Sequence, residues 1–235
     1  ICCMKGQVLC LKTRQEIKAQ AKLVFMADYW KSVGVAVVYM LIMFAIGGTS
    51  GALAIFGPIT CAAAFFVMPL ALGLISHFVK LYQGEKPQFE TMFIDGFSTN
   101  YLRKVGGMAW MTLWIFIWSL LFWIPGFVKG LSYSMTPYIL TFCPNVKAKD
   151  ALKLSMRIME GNKADLFVFY LSYIGWGILN VITCGLLGIF YVYPYFYTSL
   201  YGYLDELFTN ALAKGVITKT DLVEYEIFDS TFPPQ

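Results

Sequence analysis

The chain has 235 residues, of which 58% are hydrophobic and only 14% charged. A soluble domain carries roughly 25% charged residues, so this chain lacks the polar surface to coat a water-soluble globule. The net charge of +4 comes from 18 basic and 14 acidic residues gathered between long uncharged runs, and no nucleic acid partner is expected.

Three runs dominate. Residues 32–79 contain no Lys, Arg, Asp or Glu, residues 105–146 contain only Lys129, and residues 166–204 contain none. A bilayer-spanning helix needs about 20 apolar residues, so each run has room for two spans. Each is also interrupted by turn chemistry: Gly47-Gly48-Thr49-Ser50-Gly51, Pro125-Gly126 and Thr183-Cys184-Gly185. The expected fold is all-α and polytopic, with six transmembrane helices as three hairpins at 30–46, 52–79, 105–124, 127–142, 166–182 and 186–204, plus cytoplasmic interfacial amphipathic helices.

In chain order, residues 1–11 read as an extension or a disordered segment, 12–207 as the six-span membrane domain and 208–235 as an acidic cytoplasmic tail. No cleavable signal segment is evident ahead of the first apolar run. Thr13-Arg14-Gln15-Glu16 fits a capping box, in which the Thr hydroxyl and the Glu carboxylate satisfy opposite orphan amides. Beyond it Arg14, Lys18 and Lys22 form a basic stripe opposite Ile17, Ala21 and Val24. Residues 88–100 are semi-apolar, broken by Glu90 and Asp95, and predict a third interfacial helix. Lys147 to Met159 repeats the basic design, with Lys149, Lys153 and Arg157 on one face and Gly161-Asn162 as the stop. Such helices suit the membrane interface, apolar face down and cations among anionic headgroups. They also serve as topology determinants. All but one of the 18 Lys and Arg fall on the side of these helices, which predicts a multi-pass protein with both termini cytoplasmic. Lys129 alone falls on the other side, where it can snorkel to outer headgroups.

Pro69, Pro137 and Pro194 each fall in the second member of a hairpin. A helix-interior proline frees the carbonyl four residues back, here those of Phe65, Tyr133 and Phe190, and each needs a partner such as a tyrosine hydroxyl. The pattern suggests three related hairpins whose kinked members face one another. Trp110, Trp114 and Trp118 share one helix face, as a packing or lipid-facing stripe, and six tyrosines between Tyr191 and Tyr203 read as an interfacial belt or a headgroup cleft. His77 has no partner at ligand spacing, the six cysteines lack metal or disulfide spacing, and the spans carry no acidic residue of the kind that marks a proton pathway. No enzyme, metal or cofactor is expected.

The stretches Ile124-Pro-Gly-Phe-Val-Lys-Gly-Leu-Ser-Tyr-Ser-Met-Thr-Pro-Tyr-Ile-Leu140, Ser155-Met-Arg-Ile-Met-Glu-Gly-Asn-Lys163, Leu171-Ser-Tyr-Ile-Gly-Trp-Gly177 and Tyr193-Pro-Tyr195 resemble an uncharacterised bacterial integral-membrane family, domain-of-unknown-function family 975. The resemblance runs from Lys12 to about Leu207. It implies a bacterial cytoplasmic membrane and a likeness to the membrane domain joined to some glycerophosphodiester phosphodiesterases, and it assigns no catalytic residue. The expected function is a non-catalytic membrane module that binds or organises lipids or partner proteins. Its headgroup contacts would be Lys129, Arg14, Lys18, Lys22, Lys149, Lys153 and Arg157, with Pro69, Pro125, Gly126, Pro137 and Pro194 as kinks or turns. Anionic lipids, a protein partner or a second copy are the partners considered. The alternative is a small transporter or exporter of amphipathic molecules or peptides.

Overall fold

The computed structural model describes residues 13–52, 57–97, 101–121, 123–144, 146–183, 185–218 and 221–222, with the side chains of 45–66 and 121–124 outside that description. Every regular element among them is helical: α1 Arg14–Ala27, α2 Tyr29–Ala52, α3 Gly57–Tyr82, α4 Thr91–Phe97, α5 Tyr101–Leu121, α6 Trp123–Tyr133, α7 Thr136–Phe142, α8 Ala148–Met159, α9 Lys163–Leu171, α10 Ile174–Ile182, a π-helical turn Gly188–Val192, and α11 Tyr193–Ala213. The expected extension at 1–11 and most of the acidic tail lie outside the described residues.

Several boundaries follow local chemistry. Thr13 and Glu16 make both halves of the capping box that starts α1. Gly161 (φ 83°) follows α8 and Gly185 (φ 86°) makes the turn after α10, conformations that glycine adopts without steric cost. Others move. The helix runs through Gly47–Gly51 to Ala52, so apolar context overrides the glycines and the first connection falls later. Pro125 and Gly126 lie inside α6, because a proline in the first helical turn forgoes no hydrogen bond. Gly126 serves close approach instead: an added Cβ would lie 2.5 Å from Ser119 Oγ on α5. Pro137 does not kink a continuous span; it starts α7 after a break at Ser134-Met135. Pro69 does sit inside α3, and Pro194 directly follows the π-helical turn.

One expectation about the prolines is met at atomic detail. The Phe190 carbonyl, left without its partner by Pro194, accepts a hydrogen bond from the Tyr29 hydroxyl at 3.1 Å. That bond ties α2 to the turn ahead of α11. The second hairpin members also converge, since α3 packs on both α7 and α11. Phe78 stacks near Tyr197 and Tyr201, with ring centroids 5.9 Å and 6.5 Å away. The tyrosines of α11 therefore point into the bundle, with Tyr195 and Tyr203 buried, and do not form a belt.

The interfacial helices are corrected too. α1 buries Ile17, Ala21 and Phe25 against α11 and α3. α8 buries Ala151, Leu152, Leu154, Ser155, Ile158 and Met159 against α5, α6 and α7. Their apolar faces pack on protein, not on lipid. The predicted third helix is the seven-residue α4, pressed onto α3 so closely that a Cβ on Gly73 would lie 1.8 Å from the Met92 carbonyl oxygen. The supposed tail starts late: α11 continues to Ala213, and Ile217 and Leu222 are buried in the main core.

Among the described residues, the stretch Lys163–Ile182 is long and apolar enough to cross a membrane, and Arg14–Ala27 with Tyr29–Phe44, bent by 95°, would make a second.

The α3–α4 contact generates a stability prediction. Gly73→Val should destabilise by about 3 kcal/mol, the upper end of the overpacking range, because the clashing atom is backbone. Gly34→Ala, with open space at its Cβ, should be near neutral. Thermal unfolding of the detergent-solubilised protein checks this, with a fall of roughly 5–10 °C expected for Gly73→Val.

Candidate functional site

The basic residues singled out by the sequence do not gather into one headgroup site. Arg14 pairs with Asp165 at 3.4 Å. Lys18 reaches the Ser172 hydroxyl and lies 4.3 Å over the Tyr173 ring; burial, with Arg14 nearby, pulls its pKa down. Arg157 pairs with Asp221 at 3.3 Å, which holds the segment after α11 across α8. Lys153 meets Asp150 one turn back at 3.4 Å, an exposed pair worth little. Lys149 lies 5.4 Å over Trp110. Lys22, Lys149 and Lys153 remain exposed.

Lys129, expected to stand alone on the outer side, lies beside α8. Its Nζ lies 4.0 Å from Met156 Sδ on α8 and 5.4 Å over the Trp118 ring. The tryptophan stripe of α5 thus receives two lysines, one from α6 and one from α8, in cation–π contacts. Phe127 next to it packs edge-on against Phe167 near the start of α9, at 5.8 Å. The tip of the α5–α6 hairpin therefore sits beside α8 and the foot of α9. A shallow groove of about 470 Å³ runs there, lined by Ser119, Gly126, Phe127, Gly130, Leu131 and Tyr170 among others.

A polar knot lies where α3, α7, α11 and α1 meet. Tyr138 Oη donates to Asp205 Oδ1 at 2.6 Å, and Gln83 Nε2 donates to the same oxygen at 3.0 Å. Tyr82 Oη lies 3.4 Å from Glu206 Oε1 and 3.3 Å from Gln20 Oε1. Asp205 and Glu206 are each only 8% exposed. A buried polar group costs free energy unless it is hydrogen-bonded, and two donors on one Asp205 oxygen meet that need. Burial, then the neighbouring Glu206 carboxylate, push the Tyr82 hydroxyl well above its ordinary value, so it stays a donor. Sequence reasoning, which counted no acidic residue of functional kind in the spans, missed the knot. The available signal was Asp205-Glu206 following an aromatic run on a helix with no break before Ala213.

Beside the knot a polar cleft of about 340 Å³ opens between α1, α9 and α11, lined by Thr13, Arg14, Asn162, Asp165, Glu206 and Asn210 with Ile17, Tyr203 and Leu207. A second network fixes α4. The Asp95 carboxylate accepts from Lys80 Nζ at 2.6 Å and from the Ser76 hydroxyl, and Lys104 Nζ donates to the Asp95 carbonyl at 2.5 Å. Burial raises the Asp95 pKa, but the hydrogen bonds from Lys80 and Ser76 outweigh it and hold the carboxyl below its ordinary value. Among the described residues no group of three His, Cys, Asp or Glu could hold a metal ion.

Against known proteins, the model of one family, described as "Protein of unknown function (DUF975)", matches residues 108–211. No curated protein and no solved structure matches the chain.

Two outcomes follow from these networks. Tyr138→Phe removes a short donor to Asp205 and should cost about 1–3 kcal/mol; the double variant with Asp205→Asn should recover part of that loss, read by thermal unfolding. Because the folded Asp95 pKa is depressed, its contribution is present above the ordinary carboxylate value and fades as pH falls through the folded one. Protection factors of the α4 amides, corrected for the intrinsic pH dependence of exchange, should therefore fall with acidification more than in the Asp95→Asn variant.

Proposed function

The chain belongs to the DUF975 family through residues 108–211, and from that premise we propose that it is a non-catalytic, multi-pass protein of a bacterial cytoplasmic membrane that binds and organises lipids. The carrying observation is the surface of the stretch Lys163–Ile182, only 17% buried. Phe167, Val168, Leu171, Ile174, Ile178, Leu179, Val181 and Ile182 all stand exposed on it. A core helix of a soluble protein would be covered, whereas an exposed apolar sleeve of this length suits hydrocarbon.

Within that reading, of the six apolar segments the first and third hairpins cross the bilayer, and the second, α5–α6, enters without crossing. Two contacts support this: Phe127 against Phe167 and Lys129 against Met156. The hydrocarbon core is about 30 Å thick, too thick for those pairs to come from opposite sides. All 18 Lys and Arg then fall on one side, in keeping with both termini being cytoplasmic. Exposed Lys22, Lys149 and Lys153 present cations to anionic headgroups at that surface. The stacked rings of Phe78, Tyr197 and Tyr201 fill the contact between α3 and α11, which favours a lipid-organising module over the transporter alternative.

Purified protein should retain anionic phospholipid. Each basic residue near the surface contributes about 1 kcal/mol, so the combined Lys22→Glu, Lys149→Glu and Lys153→Glu variant should lose at least tenfold in binding to phosphatidylglycerol nanodiscs. Unchanged lipid recovery by mass spectrometry would remove this reading.

A further inference from the structure

The outer face of α8 holds a row of cations, and the chain returns to that row after α11. Lys149, Lys153 and Arg157 recur every four residues and so share one helix face, and all three are exposed. Lys149 meets the Trp110 ring and no carboxylate among the described residues. Lys153 meets Asp150 of its own helix, in a pair whose side chains are 73% and 45% exposed. Arg157 differs, because Asp221 arrives from beyond α11 and pairs with it at 3.3 Å. That arrival is anchored. Thr218 donates to the Asp221 carboxylate through its amide at 3.0 Å and its hydroxyl at 2.8 Å, and Ile217 and Leu222 are buried in the main core. The chain is thus held at the basic face up to Leu222. From there to residue 235 it carries Glu224, Glu226 and Asp229 and no Lys or Arg.

We propose that the acidic segment 224–229 docks on this face of α8 in the same chain. The alternation Val223-Glu224-Tyr225-Glu226-Ile227 puts both glutamates on one side of an extended strand, about 7 Å apart. Lys153 and Lys149 stand four residues apart on a helix, about 6 Å along its axis, so the two spacings match. Glu224 follows the anchored Asp221 by three residues, a reach of about 10 Å at full extension. That covers the one-turn step from Arg157 to Lys153. Tethering also makes the encounter intramolecular, with an effective concentration in the millimolar range, so exposed ion pairs too weak to join separate molecules suffice here. The consequence rests on the lipid reading above: the segment covers two of the lysines assigned to anionic headgroups, and headgroups and segment compete for them. An anionic membrane surface displaces the segment, and a neutral one leaves it in place.

The test uses the full chain at one copy per nanodisc and a zero-length carbodiimide, which joins a carboxylate to an amine it touches, read by peptide mass spectrometry. In phosphatidylcholine discs, Glu224 and Glu226 should link to Lys149 and Lys153 at least fivefold more than to the exposed Lys22 of α1. Replacing half of the phosphatidylcholine by phosphatidylglycerol should cut those links at least threefold. The triple variant Glu224→Gln, Glu226→Gln and Asp229→Asn should retain at least threefold more phosphatidylglycerol on purification, with unchanged thermal unfolding. Lys149→Arg with Lys153→Arg, which keeps the charge and removes the reactive amines, should lose the links without that gain. Links that form in phosphatidylcholine and persist in phosphatidylglycerol support the docking and count against the anionic-lipid reading, so the two fail separately. Links absent from the folded chain, or spread evenly over Lys22, Lys149 and Lys153, overturn the proposal.

Discussion

The 2.6 Å hydrogen bond from Tyr138 to Asp205 is the point on which the rest of the bundle turns. A carboxyl group with 8% exposure needs hydrogen-bond partners, and α7 brings its tyrosine to α11 while Gln83 arrives from the end of α3. That requirement accounts for two departures from simple spans. The chain breaks at Ser134-Met135 so that α7 can turn away from α6, and Pro137 sits at the start of α7, where its missing amide costs nothing. α11 in turn runs beyond the aromatic segment to Ala213, because its last turns carry the acidic side of the knot.

The features legible in the sequence were those set by local chemistry. Thr13 and Glu16 announce their capping box, Gly161 and Gly185 their left-handed turns, and the Phe190 carbonyl its need for a hydroxyl ahead of Pro194. Features set by packing between distant segments were not legible. Gly73 reads as a neutral glycine until α4 lies against it. The amphipathic faces of α1 and α8 look alike whether lipid or protein covers them, and the choice depends on α11 and α5. Lys129 looks like a lone outer charge only if the α5–α6 hairpin stands upright. The polar cleft was equally invisible, since its members come from α1, α9 and α11.

The two polar surfaces differ in how their charges are met. In the cleft at the foot of α9 the carboxylates have partners within the bundle, Asp165 in Arg14 and Glu206 in Tyr82, while Lys22, Lys149 and Lys153 stand exposed on α1 and α8. In the proposed reading, lipid chains meet the stretch Lys163–Ile182 and anionic headgroups meet the exposed lysines.

The arrangement of the α5–α6 hairpin carries the whole topology, and the Phe127–Phe167 contact at 5.8 Å tests it most directly. In a variant whose native cysteines are replaced by serine, Phe127→Cys and Phe167→Cys should join within one chain on mild oxidation in native membranes, seen as a gel shift and by peptide mass. Absence of that bond, with the hairpin thiol labelled only from outside the cell, would mean that the hairpin crosses the bilayer and would contradict the account.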